Sequence, residues 1–223
     1  MKRSEINNYI REAEDFLHKM NFLLPPFAFW SPEDWKNKGP EYDEIKQNHL
    51  GWDLTDFGIG NYEKKGLLLF TIRNGNPAVP SCTKTYAEKM LMVRPGQVTP
   101  WHYHQSKMED IINRGGGYLN VQVYGSAGTK TLNKESPVPV AVDGRNYSVD
   151  PGAVIKLAPG ESITLLRGVF HQFWSDDGTL LLGEVSMVND DHSDNFFLEE
   201  IGRFPVITED EKPLHLLVGD YTV

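Results

Sequence analysis

The chain has 223 residues, 39% of them hydrophobic and 24% charged, the balance of a globular protein large enough for one sizeable core. A formal net charge of −9 argues against nucleic acid or an anionic membrane as partner. A single cysteine, Cys82, excludes an intramolecular disulfide and fits a reducing compartment. No signal peptide or membrane-spanning run is visible, so a cytoplasmic protein is expected.

In chain order, residues 4–20 read as a helix. Ser4 can cap its start, and Ile6, Ile10, Ala13, Phe16, Leu17 and Met20 recur at helical spacing. That apolar face is expected to dock on the main domain or on a second subunit. Leu24-Pro25-Pro26 ends the helix. The stretch 27–66 is mixed, with short helices expected near 31–38 and 41–49. Ser31-Pro32-Glu33 has the cap-then-proline order of a helix start. Trp30, Trp35 and Trp52 read as packing anchors.

From residue 67 the pattern becomes short strands separated by Gly, Pro and Asp turns. Strands are expected at 67–73, 86–94, 98–104, 109–113, 118–124, 138–142, 146–149, 153–157, 162–167, 170–174 and 179–188. Such punctuation predicts an all-β sandwich or barrel. The whole chain, 1–223, reads as one domain: a helical N-terminal extension over 1–66, a barrel core over 67–190 and a C-terminal segment over 191–223. The last carries Phe196, Phe197, Leu198 and Ile201 but no pattern that places it.

Within the barrel core, the chain reads Gly96-x5-His102-x-His104-x4-Glu109-x6-Gly116. Two histidines two residues apart on a strand share a face. Glu109 lies at odd spacing from His104, so one straight strand cannot aim all three together. The four residues 105–108 suit a hairpin loop, which would let Glu109 open the next strand and point back at the pair. Two imidazoles and a carboxylate so arranged suit a divalent transition metal; the other reading is a surface His pair with an unrelated Glu. His171, after Gly160-x7-Gly168, is the candidate for a further nitrogen ligand, or else a buried structural histidine among Phe170, Phe173 and Trp174.

These residues resemble the cupins, small jelly-roll barrels. The first cupin motif is matched at Gly96, His102, His104, Glu109 and Gly116. The second is matched at Gly160, Gly168 and His171, with Leu166 in place of its Pro and Ser175 in place of its Asn. The resemblance makes His171 the fourth ligand. A narrower likeness, over the whole length, is to the D-lyxose isomerases. It rests on residues 1–7, Ala87-Glu88-Lys89, Trp101-His102-Tyr103-His104, Gly183-Glu184-Val185-Ser186, Asn189-Asp190-Asp191, Asp194-Asn195 and Arg203-Phe204-Pro205. That likeness implies interconversion of D-lyxose with D-xylulose and of D-mannose with D-fructose. It also implies a homodimer and a divalent ion, manganese first, with cobalt, zinc or iron as other candidates.

Aldose–ketose isomerisation needs a Lewis acid and a proton shuttle. Three His and one Glu leave two octahedral positions for O1 and O2 of the sugar, which suits proton transfer through a cis-enediol. Glu184 is the expected base; it shares parity with Leu182 and Ser186, and partial burial is expected to raise its pKa toward a working range. The other reading is an outward-facing strand carboxylate. Lys89 must face opposite to Glu88; it is either solvated or, as the resemblance implies, turned inward to hold a sugar oxygen or relay a proton. Asp194 and Arg203 are candidates for sugar hydroxyls, or surface charges. His192 reads as part of a solvated turn, and His18, His49 and His215 as surface or packing residues. Two rival functions share the fold: an iron-dependent cupin dioxygenase, and a non-catalytic sugar-binding cupin. A phosphosugar isomerase would want a basic cluster that this acidic chain lacks.

Overall fold

A computed structural model describes residues 1–190, 194–202 and 205–221. The first helix, α1 (Arg3–Lys19), buries Ile6, Ile10, Ala13 and Leu17 at helical spacing. Its start differs from the expected Ser4 cap. Lys2 is the first capping residue, and its N–H donates to the Glu5 carboxylate at 2.7 Å. The Ser4 hydroxyl instead donates to Asp210 at 2.7 Å, because the C-terminal segment runs alongside and bridges Lys2 through Thr208. Arg3, buried, forks onto Glu209 and Asp220 and ties helix to tail. The short helices follow as α2 (Pro32–Trp35) and α3 (Asp43–Gln47). Ser31 caps α2 as expected, accepting from the Asp34 N–H at 3.2 Å.

Fourteen strands follow among the described residues: β1 (Gly51–Thr55), β2 (Leu67–Arg73), β3 (Tyr86–Val93), β4 (His102–His104), β5 (Glu109–Gly115), β6 (Leu119–Gly128), β7 (Thr131–Asn133), β8 (Val138–Val142), β9 (Arg145–Val149), β10 (Val154–Leu157), β11 (Ser162–Leu165), β12 (Val169–Ser175), β13 (Leu180–Met187) and β14 (Asn195–Phe197). One sheet has the order β1-β2-β3-β13-β5-β11-β8-β9, and the facing sheet the order β10-β6-β12-β4-β14, with β7 on β6. All strand pairs are antiparallel. This is the all-β sandwich that the turn punctuation predicted, in the two-sheet form that the resemblance to cupins implied.

Three strands were not expected. β1 falls inside the stretch read as helical extension. Its alternation of Trp52 and Leu54 with Asp53 and Thr55 spans only five residues, too short to stand out. β7 and β14 have three residues each and show no period at all.

Side-chain alternation sorts the large sheet into two cores. On β3, Leu91 and Val93 face the sandwich interior while Met90 and Met92 face outward. On β2, Leu69 is inside and Leu68 and Phe70 are outside; on β13, Leu180 and Leu182 are inside and Leu181 outside. The outward set is covered by the apolar face of α1, together with Trp52. The helix face that seemed to need a docking partner therefore finds it within its own chain.

The inward faces of three neighbouring strands switch from apolar to ionic partway along. Leu91 gives way to Lys89, Ile111 to Glu109, and Leu182 to Glu184, all buried. That switch places the charged groups at one end of the sandwich.

Ile10 lies fully buried between α1 and this sheet. Ile10→Ala is expected to cost about 2–5 kcal/mol, read by urea unfolding.

Candidate metal centre and catalytic cavity

The ionic end of the sandwich gathers His102, His104, Glu109 and His171, whose ligand atoms all lie within 4.8 Å of one another. His102 and His104 project from β4, and His171 stands opposite His102 on β12. Glu109 opens β5, as expected, but not through a hairpin. β4 and β5 belong to different sheets, so residues 105–108 cross between the layers and Glu109 reaches the histidines from the facing sheet. Asp194 holds that crossover in shape. Its carboxylate accepts the N–H groups of Gln105, Ser106 and Lys107 at 3.1, 2.7 and 2.8 Å. The sequence offered Asp194 as a sugar ligand, a surface charge or a cap, and these three bonds are those of a cap on the crossover. Arg203 and His192 lie outside the described residues.

Each histidine is oriented through Nδ1 by a backbone carbonyl. His102 meets Pro100 O at 2.9 Å, His104 meets Asp194 O at 3.2 Å, and His171 meets Val169 O at 3.0 Å. A carbonyl only accepts, so Nδ1 carries the proton and Nε2 presents a lone pair. The His104 and His171 Nε2 atoms then lie 3.4 and 3.3 Å from the two Glu109 oxygens. Among the described residues, His171 Nε2 is buried without a hydrogen-bond partner. Lone pairs facing carboxylate oxygens repel unless a cation lies among them. The donor set, three imidazole nitrogens and a carboxylate, therefore fits a divalent transition metal. Packing around its ring pushes the His102 imidazole well below its usual range.

The motif glycines have a common reason. Gly96, Gly116, Gly160 and Gly168 all take positive φ, between 75° and 96°, which side-chain-bearing residues rarely adopt. The departures at Leu166 and Ser175 leave the turns intact. Val169 N–H donates to Leu166 O at 3.2 Å, and the Ser175 hydroxyl donates to Gly178 O at 2.6 Å.

Glu184 and Lys89 both face inward, as their parity allowed, directly opposite each other across β13 and β3. Lys89 Nζ lies 3.3 Å from Glu184 Oε1, while Glu88 points outward to Arg73. Lys107 was missed. Read as a loop residue, it is a buried ammonium set 2.7 Å from Glu109 Oε2, 2.8 Å from Glu184 Oε1 and 3.3 Å from Asn189 Oδ1. The usable signal was parity: Lys107 and Glu109 are two apart, so an extended crossover turns both the same way.

Lys107 also reverses the expectation for Glu184. Burial alone pushes that carboxyl up, but the Lys107 and Lys89 ammoniums outweigh it and hold the group below its ordinary range. Burial and Lys107 compete likewise on Glu109, and Lys107 prevails, leaving it well below the usual range. Burial alone would lower the Lys107 ammonium; the two carboxylates instead raise it above the ordinary lysine value.

The cavity between the sheets is lined by these groups and by Asp53, Thr55, Leu69, Leu91, Phe173 and Asn195. Phe57 packs on Phe197 and Phe197 on His102, with ring centroids 5.9 and 5.7 Å apart, forming an aromatic wall beside the donor cluster.

A cupin-type sandwich with a transition-metal donor set at one end is the class that fold and site define. The family model described as D-lyxose isomerase matches residues 1–221, and the chain belongs to that family. It is therefore an isomerase, which sets aside the dioxygenase and non-catalytic alternatives. A D-lyxose/D-mannose isomerase of Serratia proteamaculans is 43% identical over 99% of this chain and 98% of its own. One of Escherichia coli O157:H7 is 42% identical over the same shares. Among solved structures, the L-ribose isomerase of Cellulomonas parahominis with L-ribose superposes with a TM-score of 0.62 at 18% identity, covering 93% of this chain and 98% of that one. That likeness shows the shared fold. No helix among the described residues is long and apolar enough to cross a membrane.

The depressed carboxylates contribute stability that is present above their ordinary range and lost as pH falls through their folded values. Lys107→Met should invert this. Glu109 would lose its ammonium partner and Glu184 would keep only Lys89, costing about 3–5 kcal/mol near neutral pH. Part of that stability should return near about pH 5, where one carboxyl protonates. Urea unfolding in chelator at both pH values reads the effect. Equal, unchanged stability at both would contradict the role given to the ammonium.

Proposed function

We propose that the protein interconverts D-lyxose with D-xylulose, and D-mannose with D-fructose, by proton transfer through a cis-enediol, with a divalent ion, manganese first. The observation that carries the reading is the Glu109–Lys107–Glu184 chain, in which one ammonium joins the donor cluster to a second, inward carboxylate at 2.7 and 2.8 Å. The relatives named D-lyxose/D-mannose isomerase, at 43% and 42% identity, support the substrates.

His102, His104, Glu109 and His171 would hold the ion, which when bound supplies a Lewis acid for the oxygens on C1 and C2. Glu184, kept ionised by its two lysines, takes the proton from C2 of the aldose. The C–H electrons form the C1–C2 double bond and O1 gains a proton, giving the enediol. O2 then loses its proton as the C2 carbonyl forms, and the proton held by Glu184 returns to C1. Lys107 spends its three N–H donors on Glu109, Glu184 and Asn189. It therefore fixes the base and leaves the sugar to Lys89. Lys89, opposite Glu184, steadies negative charge on the sugar oxygens and relays the proton between them. The aromatic wall of Phe57 and Phe197 limits water around the enediol. A homodimer completes the reading: Tyr86, Val185 and Met187 share the outward face of β3 and β13 and stay exposed, a surface that a second copy would cover.

Glu184→Gln is the test. D-lyxose turnover should fall by about 10²–10⁴-fold while calorimetry still detects manganese binding. In deuterated water, wild-type product should carry solvent deuterium at C1. Wild-type turnover by the variant removes Glu184 from the role of base, and hydrogen transfer with no exchange points to a hydride shift.

A further inference from the structure

The cavity extends well beyond the donor cluster. β1 turns Asp53 and Thr55 inward, both buried, while Trp52 and Leu54 face the outer layer. In register, Glu184 faces Lys89, Lys89 faces Thr71, and Asp53 faces Leu69, the next inward position on β2. Asp53 thus lies two strands beyond Lys89 and two residues along, a backbone separation of roughly 12 Å at ~4.8 Å strand spacing and ~3.3 Å rise per residue, which the two inward side chains shorten.

An extended carbon chain advances about 1.3 Å per bond. An aldose held by C1 and C2 beside Glu184 and Lys89 therefore reaches its terminal hydroxyl roughly 6–8 Å away, at the span of β2 and β1. The cavity wall along that path is largely leucine: Leu67, Leu69 and Leu91. A polyol buried there needs acceptors at its far end. Asp53 supplies a carboxylate, and its Oδ1 is oriented by accepting the Leu54 N–H at 2.9 Å. Asp53 and Asn189 also line an adjoining cavity, whose wall includes His49, Thr71, Asn74 and Asn76 beside Pro77, Ala78 and Val218. Asp53 thus stands where the reaction cavity adjoins a second space whose wall carries the Asn74 and Asn76 amides and the Thr71 hydroxyl, rather than against the core.

We propose that Asp53 is a specificity-determining residue. Its carboxylate accepts hydrogen bonds from the distal hydroxyls of the open-chain sugar, and the amide-lined space beyond it takes the sixth carbon of a hexose. This rests on the isomerase reading above and extends it to the end of the substrate remote from the chemistry.

Kinetics of wild type and Asp53→Asn on D-lyxose, D-mannose and 5-deoxy-D-lyxose test it, with a manganese-induced melting shift confirming that each protein is folded and loaded. Wild type should lose about 10-fold or more in kcat/KM on 5-deoxy-D-lyxose. Asp53→Asn should raise KM on the two natural sugars by a similar factor, with kcat changed less, and should lose little more when the hydroxyl is removed. Wild type that uses 5-deoxy-D-lyxose as well as D-lyxose overturns the proposal whatever the variant does. So does an equal loss from the missing hydroxyl in both proteins. A wild type inactive on both natural sugars defeats the isomerase reading itself, and the proposal with it.

Discussion

Two carboxylates buried side by side on one sheet face are unstable unless something positive lies between them. Lys107 is that group here. Glu109 and Glu184 lie on neighbouring strands, and the ammonium that touches both is carried by the crossover joining the two layers. Because it bridges both, with Lys89 as a second cation beside Glu184, Glu109 can offer an ionised ligand to the histidine cluster and Glu184 can stay ionised although buried. Asp194 fixes the crossover, so the position of the ammonium is set by backbone hydrogen bonds rather than by the reach of a flexible side chain. The arrangement ties metal holding to base placement: moving the crossover would disturb both.

The sandwich makes this arrangement tolerable by keeping it at one end. Strands alternate, so one inward row can be leucine and valine along most of its length and ionic over its last positions without disturbing the outward row. β3, β5 and β13 all do this. Their apolar halves form the core between the sheets, and Met90, Met92 and Leu181 of the outward rows are buried beneath α1 and the tail that Arg3 holds in place. A rigid apolar body thus supports a polar cavity, the division of labour expected of a preorganised site.

Most of the barrel strands were legible because alternation and turn residues are local properties. β2 and β8 occupy the predicted spans, and Lys89 and Glu184 face inward as parity allowed. Length set the limit elsewhere: β1 has five residues and β7 and β14 three, less than a period needs to show itself. The crossover was read as a hairpin because four residues suit either connection, and only strand pairing distinguishes them. Lys107 was hidden by that misreading, since a lysine in a surface hairpin is solvated, whereas the same lysine between two layers is buried. The direction of the Glu184 shift followed from the same omission. Burial was correctly foreseen, but burial and two nearby ammoniums push a carboxyl opposite ways, and the second contribution depends on a neighbour 77 positions away. Asp53 was invisible for a different reason: its role depends on which strand lies at the sheet edge.

The most direct measurement is ketose formation from D-lyxose by the purified protein, before chelation, after stripping and after reloading with manganese. Turnover that disappears on stripping and returns on reloading is the result predicted by a cluster of three Nε2 lone pairs and one carboxylate serving the chemistry. Turnover that survives complete stripping would contradict it. So would folded, fully loaded protein that converts neither D-lyxose nor D-mannose.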